Sequence, residues 1–244
     1  MENKIITIDD VRNDPQISAL VHYANHIMSV MGYTEHGPRH VGVVSRVTTD
    51  ILRELDYPKR TLELAEIAGW VHDVGNIVNR TDHGLNGAVM LLPILQQMGM
   101  PIEEVLRIVS AVGNHEEQHG TPVSEISAAL IIADKSDAHR SRVRRGRYNP
   151  EDIHDRVNMS IKKNWVEVDK TNRVIRFELI MDGTSSVLEF LQIYMSRMVM
   201  SEDAAHFLGC RLEIVINGMI INNHIKNLEA AKANLEKRND NLDK

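Results

Sequence analysis

His72 and Asp73 stand side by side in Val71-His72-Asp73-Val74-Gly75-Asn76, behind the apolar run Ile67-Ala68-Gly69-Trp70-Val71. Consecutive helical residues project about 100° apart, so imidazole and carboxylate converge only on something lying between their directions. A carboxylate near a helix C-terminus also meets the negative end of the helix dipole. A divalent cation answers both points, because it reverses the local charge logic. More groups of ligating type follow the same pattern. His40 stands ahead of one apolar helical stripe, His83 stands just before another, and His115 falls in Gly113-Asn114-His115-Glu116. Asp134 follows the run from Ala128 to Ala133, where a carboxylate needs a cation or hydrogen-bond donors.

The elements that must carry these groups are helical over the first two thirds of the chain. Periodicity predicts helices from Pro15 to Met31, Pro38 to Leu55, Lys59 to Asp73, Gly84 to Met98, Pro101 to Glu117, Val123 to Ala138 and Pro150 to Lys163. Gly75 is expected to act as a stop after the third of these. Pro93 is expected to kink or split the fourth. The period then changes to alternation, with strands expected from Trp165 to Val168 and Arg173 to Met181 around the turn residues Asp169 to Asn172. A helix from Ser185 to Phe207 and a strand from Arg211 to Ile216 complete the pattern. The expected organisation is a helical domain over 1–164, a small α+β appendage over 165–222 and a charged C-terminal tail over 223–244, frayed or disordered.

Composition sets the outer bounds. The 244 residues hold 43% apolar and 25% charged side chains, the mix of a soluble globular protein. A net charge of −6 argues against a general nucleic-acid binder. The single cysteine, Cys210, excludes an intramolecular disulfide and fits a reducing compartment. No stretch reaches the roughly 20 apolar residues of a membrane span, and the first residues carry no signal-like apolar run. A cytoplasmic location is expected.

His40, then His72-Asp73, then Asp134, each in or at the end of a helix, resemble the HD superfamily of metal-dependent phosphohydrolases. His83-Gly84-Leu85-Asn86-Gly87-Ala88 and His115 resemble the additional histidines of its two-metal branches. From His83 through Ala133-Asp134-Lys135 the chain is similar to the symmetrical diadenosine tetraphosphate hydrolases of that superfamily. His72-Asp73-Val74-Gly75-Asn76 also resembles the HD-GYP cyclic-di-GMP phosphodiesterases, which usually carry Lys where this chain has Asn76. Their Gly-Tyr-Pro signature is absent after His115, where Glu116-Glu117-Gln118-His119-Gly120-Thr121-Pro122 follows.

The resemblance covers about residues 36–145. It implies a mainly α fold, a helical HD-domain bundle to which the small C-terminal α+β appendage is added without a counterpart. It implies one ion held by His40, His72, Asp73 and Asp134, and a second held by His83 and His115 with Asp73 bridging. Histidine with carboxylate suits transition metals better than calcium; the family more often uses Mn or Fe, one or two ions per chain.

Other histidines are weaker candidates. His36 lies four residues before His40, but Gly37-Pro38 places it ahead of the helix. His22 and His26 share an i, i+4 spacing without a carboxylate pattern and are expected to be structural or at the surface. His119 sits in a polar loop beside the proposed ligands, either touching their partners or plainly exposed, and Asp137 reads by default as an ordinary helix-end carboxylate, with a hydrogen bond near Asp134 as the alternative.

Just beyond Asp134, His139-Arg140-Ser141-Arg142-Val143-Arg144-Arg145-Gly146-Arg147 carries five arginines and no acid. A solvated loop is the plain reading of a charge run. Arginine's planar fork also clamps phosphate, and Arg140, Arg144 and Lys135 are the expected phosphate-holding and catalytic partners of Asp73. Nucleic-acid binding is disfavoured, because aromatic residues make up only 4% of the chain. No G-x-S-x-G or G-x-x-x-x-G-K-[ST] motif is present. The expected function is a metal-dependent phosphohydrolase cleaving a phosphoester or phosphoanhydride of a small phosphorylated substrate, a nucleotide, by metal-activated water. The rival reading is a metal-containing regulatory module that binds a ligand without turnover, with the appendage as a homodimer surface.

Overall fold

The computed structural model describes residues 5–222, so the expected tail over 223–244 lies outside the described residues. Nine α-helices are found among the described residues: α1 (Ile8–Asn13), α2 (Pro15–Val30), α3 (Pro38–Glu54), α4 (Lys59–Val71), α5 (His83–Gln97), α6 (Ile102–Gly113), α7 (Glu125–Ser136), α8 (Ile153–Ser160) and α9 (Val187–Phe207). Four strands, β1 (Ile161–Asp169), β2 (Val174–Met181), β3 (Arg211–Ile216) and β4 (Met219–Ile220), form one sheet in the order β1-β2-β3-β4. The chain is thus a helical bundle with a small C-terminal α+β appendage.

Helix α7 explains the architecture. Every residue from Ile126 to Ala133 is buried, so this helix has no solvent face, as expected of a helix apolar all round. Helices α3, α4 and α6 pack on it from within the bundle, and α9 and β1 pack on it from the appendage. A single apolar core therefore runs from Ile17 and Leu64 through Ile131 to Phe177 and Phe190.

The sheet follows from alternation. In β2, Val174, Ile175, Phe177, Leu179 and Met181 are buried while Ile180 is exposed. Strands β1 and β2 pair antiparallel, with Trp165 opposite Glu178. Strands β2 and β3 pair parallel, with Phe177 opposite Ile214, and α9 supplies the crossover that a parallel pair needs. A capping box at Ser186 and Glu189 starts α9.

Several boundaries differ from the sequence expectation. The seventh predicted helix, Pro150 to Lys163, is only α8, because Ile161 to Asn164 are taken into β1 opposite Met181 to Leu179. Sheet pairing overrides the local helical pattern there. The fifth predicted helix stops at Gly113, since Gly113 and Asn114 are weak helix formers, and His115 lies beyond it. Pro93 neither splits nor ends α5; it is exposed, where the carbonyl it leaves unbonded can meet water. Gly75 is not a left-handed stop: its φ is not positive, and it lies in a 3-10 turn, Val74–Ile77. What requires glycine is contact, because a Cβ would fall 2.0 Å from the carbonyl oxygen of His83.

Candidate metal centre

Each side chain of the cluster is brought in by the end of an element. His40 is on the first turn of α3, His72 caps the C-terminus of α4, and Asp73 opens the 3-10 turn. His83 is the first residue of α5, His115 follows α6, and Asp134 lies in the last turn of α7. Gly69 lets α3 and α4 approach closely enough, since a Cβ there would lie 2.5 Å from Ser45 Cα. Asp82, in left-handed conformation, offers α5 no side-chain cap. Glu116 replaces it, accepting the backbone N–H groups of Asp82 at 3.1 Å and Gly84 at 3.3 Å.

The six predicted ligands come together. His40 Nε2 lies 3.3 Å from Asp134 Oδ1 and 3.5 Å from Asp73 Oδ2. His72 Nε2 lies 3.6 Å from both of those oxygens. Asp73 Oδ1 faces the other way, 3.4 Å from His83 Nε2. His83 Nε2 and His115 Nε2 are 3.1 Å apart. Two groups, His40-His72-Asp134 and His72-Asp73-His115, each offer ligand atoms within 4.8 Å of one another.

Which nitrogen holds the proton follows from the outer partners. His72 Nδ1 is 2.9 Å from the carbonyl of Gly69, His83 Nδ1 is 2.9 Å from that of Arg80, and His115 Nδ1 is 2.6 Å from that of Val112. A carbonyl only accepts, so each Nδ1 is the donor, and the neutral ring then presents a lone pair at Nε2. His40 Nδ1 donates to Asp137 Oδ2 at 2.7 Å, the strongest acceptor within reach. Arg142 Nη1, 2.8 Å from the same nitrogen, shares that carboxylate at 3.2 Å, and Arg39 binds it too. Four lone pairs therefore converge in a buried space. His83 and His115, each with a bare Nε2, have no proton between them.

These residues fit a metal ion. His40 Nε2, His72 Nε2 and Asp73 Oδ2 are buried without a hydrogen-bond partner, a costly state unless something else binds them. Ligand bonds of about 2.0–2.2 Å place neighbouring ligand atoms about 3.0–3.5 Å apart around a shared ion, close to the separations seen here. The electrostatics agree. Burial opposes ionisation of Asp73 and Asp134, yet the histidines around Asp73, and Lys135 with His40 and His72 beside Asp134, hold both carboxyls well below the carboxylate range. Burial, then His83 and His72, keeps His115 well below the ordinary imidazole value, hence neutral. At His72 burial is outweighed by Asp73 and Asp134, which raise its pKa.

Asn76 donates through Nδ2 to Asp73 Oδ1 at 2.8 Å and to the Asp73 carbonyl at 3.0 Å. It fixes the carboxylate's rotation, so that Oδ2 turns to His40 and His72 and Oδ1 to His83. Asp137, read from sequence as an ordinary helix-end carboxylate, orients His40. His36 lies outside the ligand set: its Nδ1 donates to Thr34 O and its Nε2 accepts from Arg142 at 2.9 Å. His119 is exposed beside Asp82.

The expected phosphate clamp is placed differently from its ligands. Lys135 is at the centre, its Nζ 2.7 Å from Asp134 and 3.3 Å from Glu117. Arg140 instead bonds the Met159 carbonyl at 2.9 Å, and Arg144 bonds Tyr33 O at 2.8 Å and Asn25 Oδ1 at 3.0 Å. Both line an open groove with Arg145 and Arg147, away from the cluster. Arg142, between them in the sequence, turns inward and is buried. A short 3-10 turn, Arg140–Arg142, sets this facing, and no linear spacing encodes it.

Two cavities that share part of their lining lie beside the centre. A polar one of about 20 Å³ touches Asp73, Glu117, Asp134, Lys135 and Asp137 and is also lined by His36, Arg80, Arg142 and Arg197. A larger one of about 190 Å³ shares those last four and extends between Tyr33, Tyr194 and α8. Arg197, on α9, pairs with Glu117 at 3.3 Å and lies 4.7 Å from the Tyr194 ring centroid. It escaped notice in the sequence because α9 reads as a plain amphipathic helix.

The model of the HD domain family matches residues 24–140. The match takes in all six clustered ligands and stops short of Arg142, Tyr194 and Arg197. No curated protein matches the chain.

Proposed function

We propose that the protein is a metal-dependent phosphohydrolase that cleaves a phosphoester or phosphoanhydride of a small phosphorylated substrate, a nucleotide being the substrate class the family resemblance favours. The observation that carries the reading is the convergence of four imidazole lone pairs and two ionised carboxylates in a buried space, every Nδ1 proton being turned outward. His40, His72 and Asp134 would hold one ion and His83 and His115 a second, with Asp73 presenting one oxygen to each. Manganese or iron is the proposed metal. When bound, such ions supply Lewis acidity and make a coordinated water more acidic.

The chain's own groups do the rest. The pocket of about 20 Å³ beside Asp73 and Asp134 is large enough for about one water molecule and is walled by polar side chains that can orient it. Lys135, held by Asp134 and Glu117, supplies a fixed ammonium at the same place. Fixed cations are suited to stabilising the charge that builds on phosphate oxygens during displacement, because they need not reorganise.

Elemental analysis of the purified chain, with turnover of generic phosphodiester and nucleotide substrates in Mn²⁺, tests this. The expected result is metal bound to the wild type and turnover that falls by a factor of about 10³ or more in Asp73→Ala, together with loss of metal. Metal content and turnover both independent of Asp73 would sink the proposal. Stoichiometric metal with no cleavage across a broad panel would favour the regulatory reading.

A further inference from the structure

The cavity beside the proposed centre is not built by the 24–140 segment alone. One wall is Tyr33 and Thr34, another is Asp152, Asp155 and Asn158 around α8, and a third is Tyr194 and Arg197 of α9. Its lining carries both charges. Arg80, Arg142 and Arg197 also line the small pocket beside Asp73 and Asp134, together with Glu117 and Asp137, while Asp152 and Asp155 contribute carboxylates elsewhere on the lining. Arg142 is tied to Asp137 and His36, and Arg197 to Glu117. Arg80 differs: it makes no salt bridge among the described residues, its polar neighbours are Asn76 Oδ1 and His83 Nε2, both at 3.4 Å, and its guanidinium lies over the Tyr33 ring, 5.8 Å from the centroid. A half-buried guanidinium without a carboxylate, at the junction of a cavity and a candidate hydrolytic centre, lacks an anion.

Resting on the phosphohydrolase reading above, we infer that Arg80 and Arg197 grip the substrate's phosphate, and that the chain beyond the HD match confines the substrate to a phosphomonoester of a compact polyhydroxylated compound. The cavity of about 190 Å³ lies below the roughly 300–1,000 Å³ of pockets for drug-sized ligands, so two nucleosides joined by a polyphosphate do not fit within it. Arginine's fork matches two phosphate oxygens at once, and Asp152 and Asp155 can accept hydrogen bonds from hydroxyl groups but repel a second phosphate. α9 thereby acquires a purpose beyond packing: it closes the cleft and delivers one of its cations.

The test uses the full chain loaded with Mn²⁺, with metal content measured for every variant. Inorganic phosphate, glycerol phosphate, propyl phosphate and a dinucleoside tetraphosphate are titrated by calorimetry. Arg80→Gln and Arg197→Gln are each expected to raise the Kd for inorganic phosphate about 10- to 100-fold with metal content unchanged, and Arg197→Lys to recover part of the loss. Arg80 has no salt bridge to lose, so its variant keeps the test meaningful if Arg197→Gln misfolds. Glycerol phosphate is expected to bind several-fold tighter than propyl phosphate, and the dinucleotide more weakly than either. An unchanged phosphate Kd in both glutamine variants overturns the arginine assignment, even if turnover is seen and the hydrolase reading stands. Arginine-dependent phosphate binding without turnover of any monoester leaves the assignment intact and removes the hydrolase reading instead. A dinucleotide that binds as tightly as glycerol phosphate overturns the size limit.

Discussion

At the scale of single residues, the centre depends on the outer hydrogen bonds as much as on the atoms facing inward. Asn76 is the clearest instance, since it holds Asp73 Oδ1 at 2.8 Å and so decides what each oxygen faces. Asn76→Ala is expected to weaken metal binding about 10- to 100-fold while leaving the fold intact, measured by competition with a chelator of known affinity. Asp137→Asn is expected to act similarly through His40, because the amide can still accept from Nδ1 but no longer attracts Arg39 and Arg142. The six inward-facing residues were legible in the sequence, because carboxylates and imidazoles next to apolar runs are costly and therefore conspicuous. The orienting roles of Asn76, Glu116 and Asp137 were not, because polar residues at helix ends are commonplace in a sequence, whether they go on to donate, as Asn76 does, or to accept. The arginines were half legible. Their concentration was visible, but Arg142 points inward and its neighbours outward through a turn of three residues.

At the scale of elements, helix ends matter more than helix faces. Six ends meet at one point, and two glycines set how closely they meet. Gly75→Ala places a methyl against the His83 carbonyl and is expected to destabilise the protein by about 1–3 kcal/mol, seen as a lower Tm, with a loss of metal affinity because His83 moves. A remote element offers a control. The α9 capping box joins Ser186 to Glu189, whose carboxyl is lowered to about 2, first by Arg156 and then by Ser186 and Ser185. Its folded pKa lies below the ordinary value of 4.5, so its contribution is complete above 4.5 and fades as pH falls towards 2. The Tm difference between wild type and Glu189→Gln should therefore shrink across that interval. Ser186→Ala should cost about 1 kcal/mol. The existence of every helix but α1 was readable from periodicity, but their ends were not, since Ile161 to Asn164 join a strand only because β2 lies beside them.

At the scale of the whole molecule, the appendage is continuous with the bundle. Phe177 and Phe190 are buried in the same core as Ile131, and α9 covers α7. Removal of all residues beyond 164 would bare the apolar side of α7 to water. The expected outcome is a chain that binds a hydrophobic dye and lacks a cooperative thermal transition, rather than an independent helical domain. Alternating residues announced this sheet in the sequence. Its docking surface was hidden, because α7 is apolar on every side and periodicity cannot say which neighbour covers which side. Among the described residues no helix is long and apolar enough to cross a membrane.

The small space beside Asp73 and Asp134 is also balanced in charge. Lys135, Arg80, Arg142 and Arg197 face Asp73, Asp134, Asp137 and Glu117 across about 20 Å³. A site so nearly neutral takes its sign from whatever enters it: a cation added there would leave a positive surplus that an anion offsets.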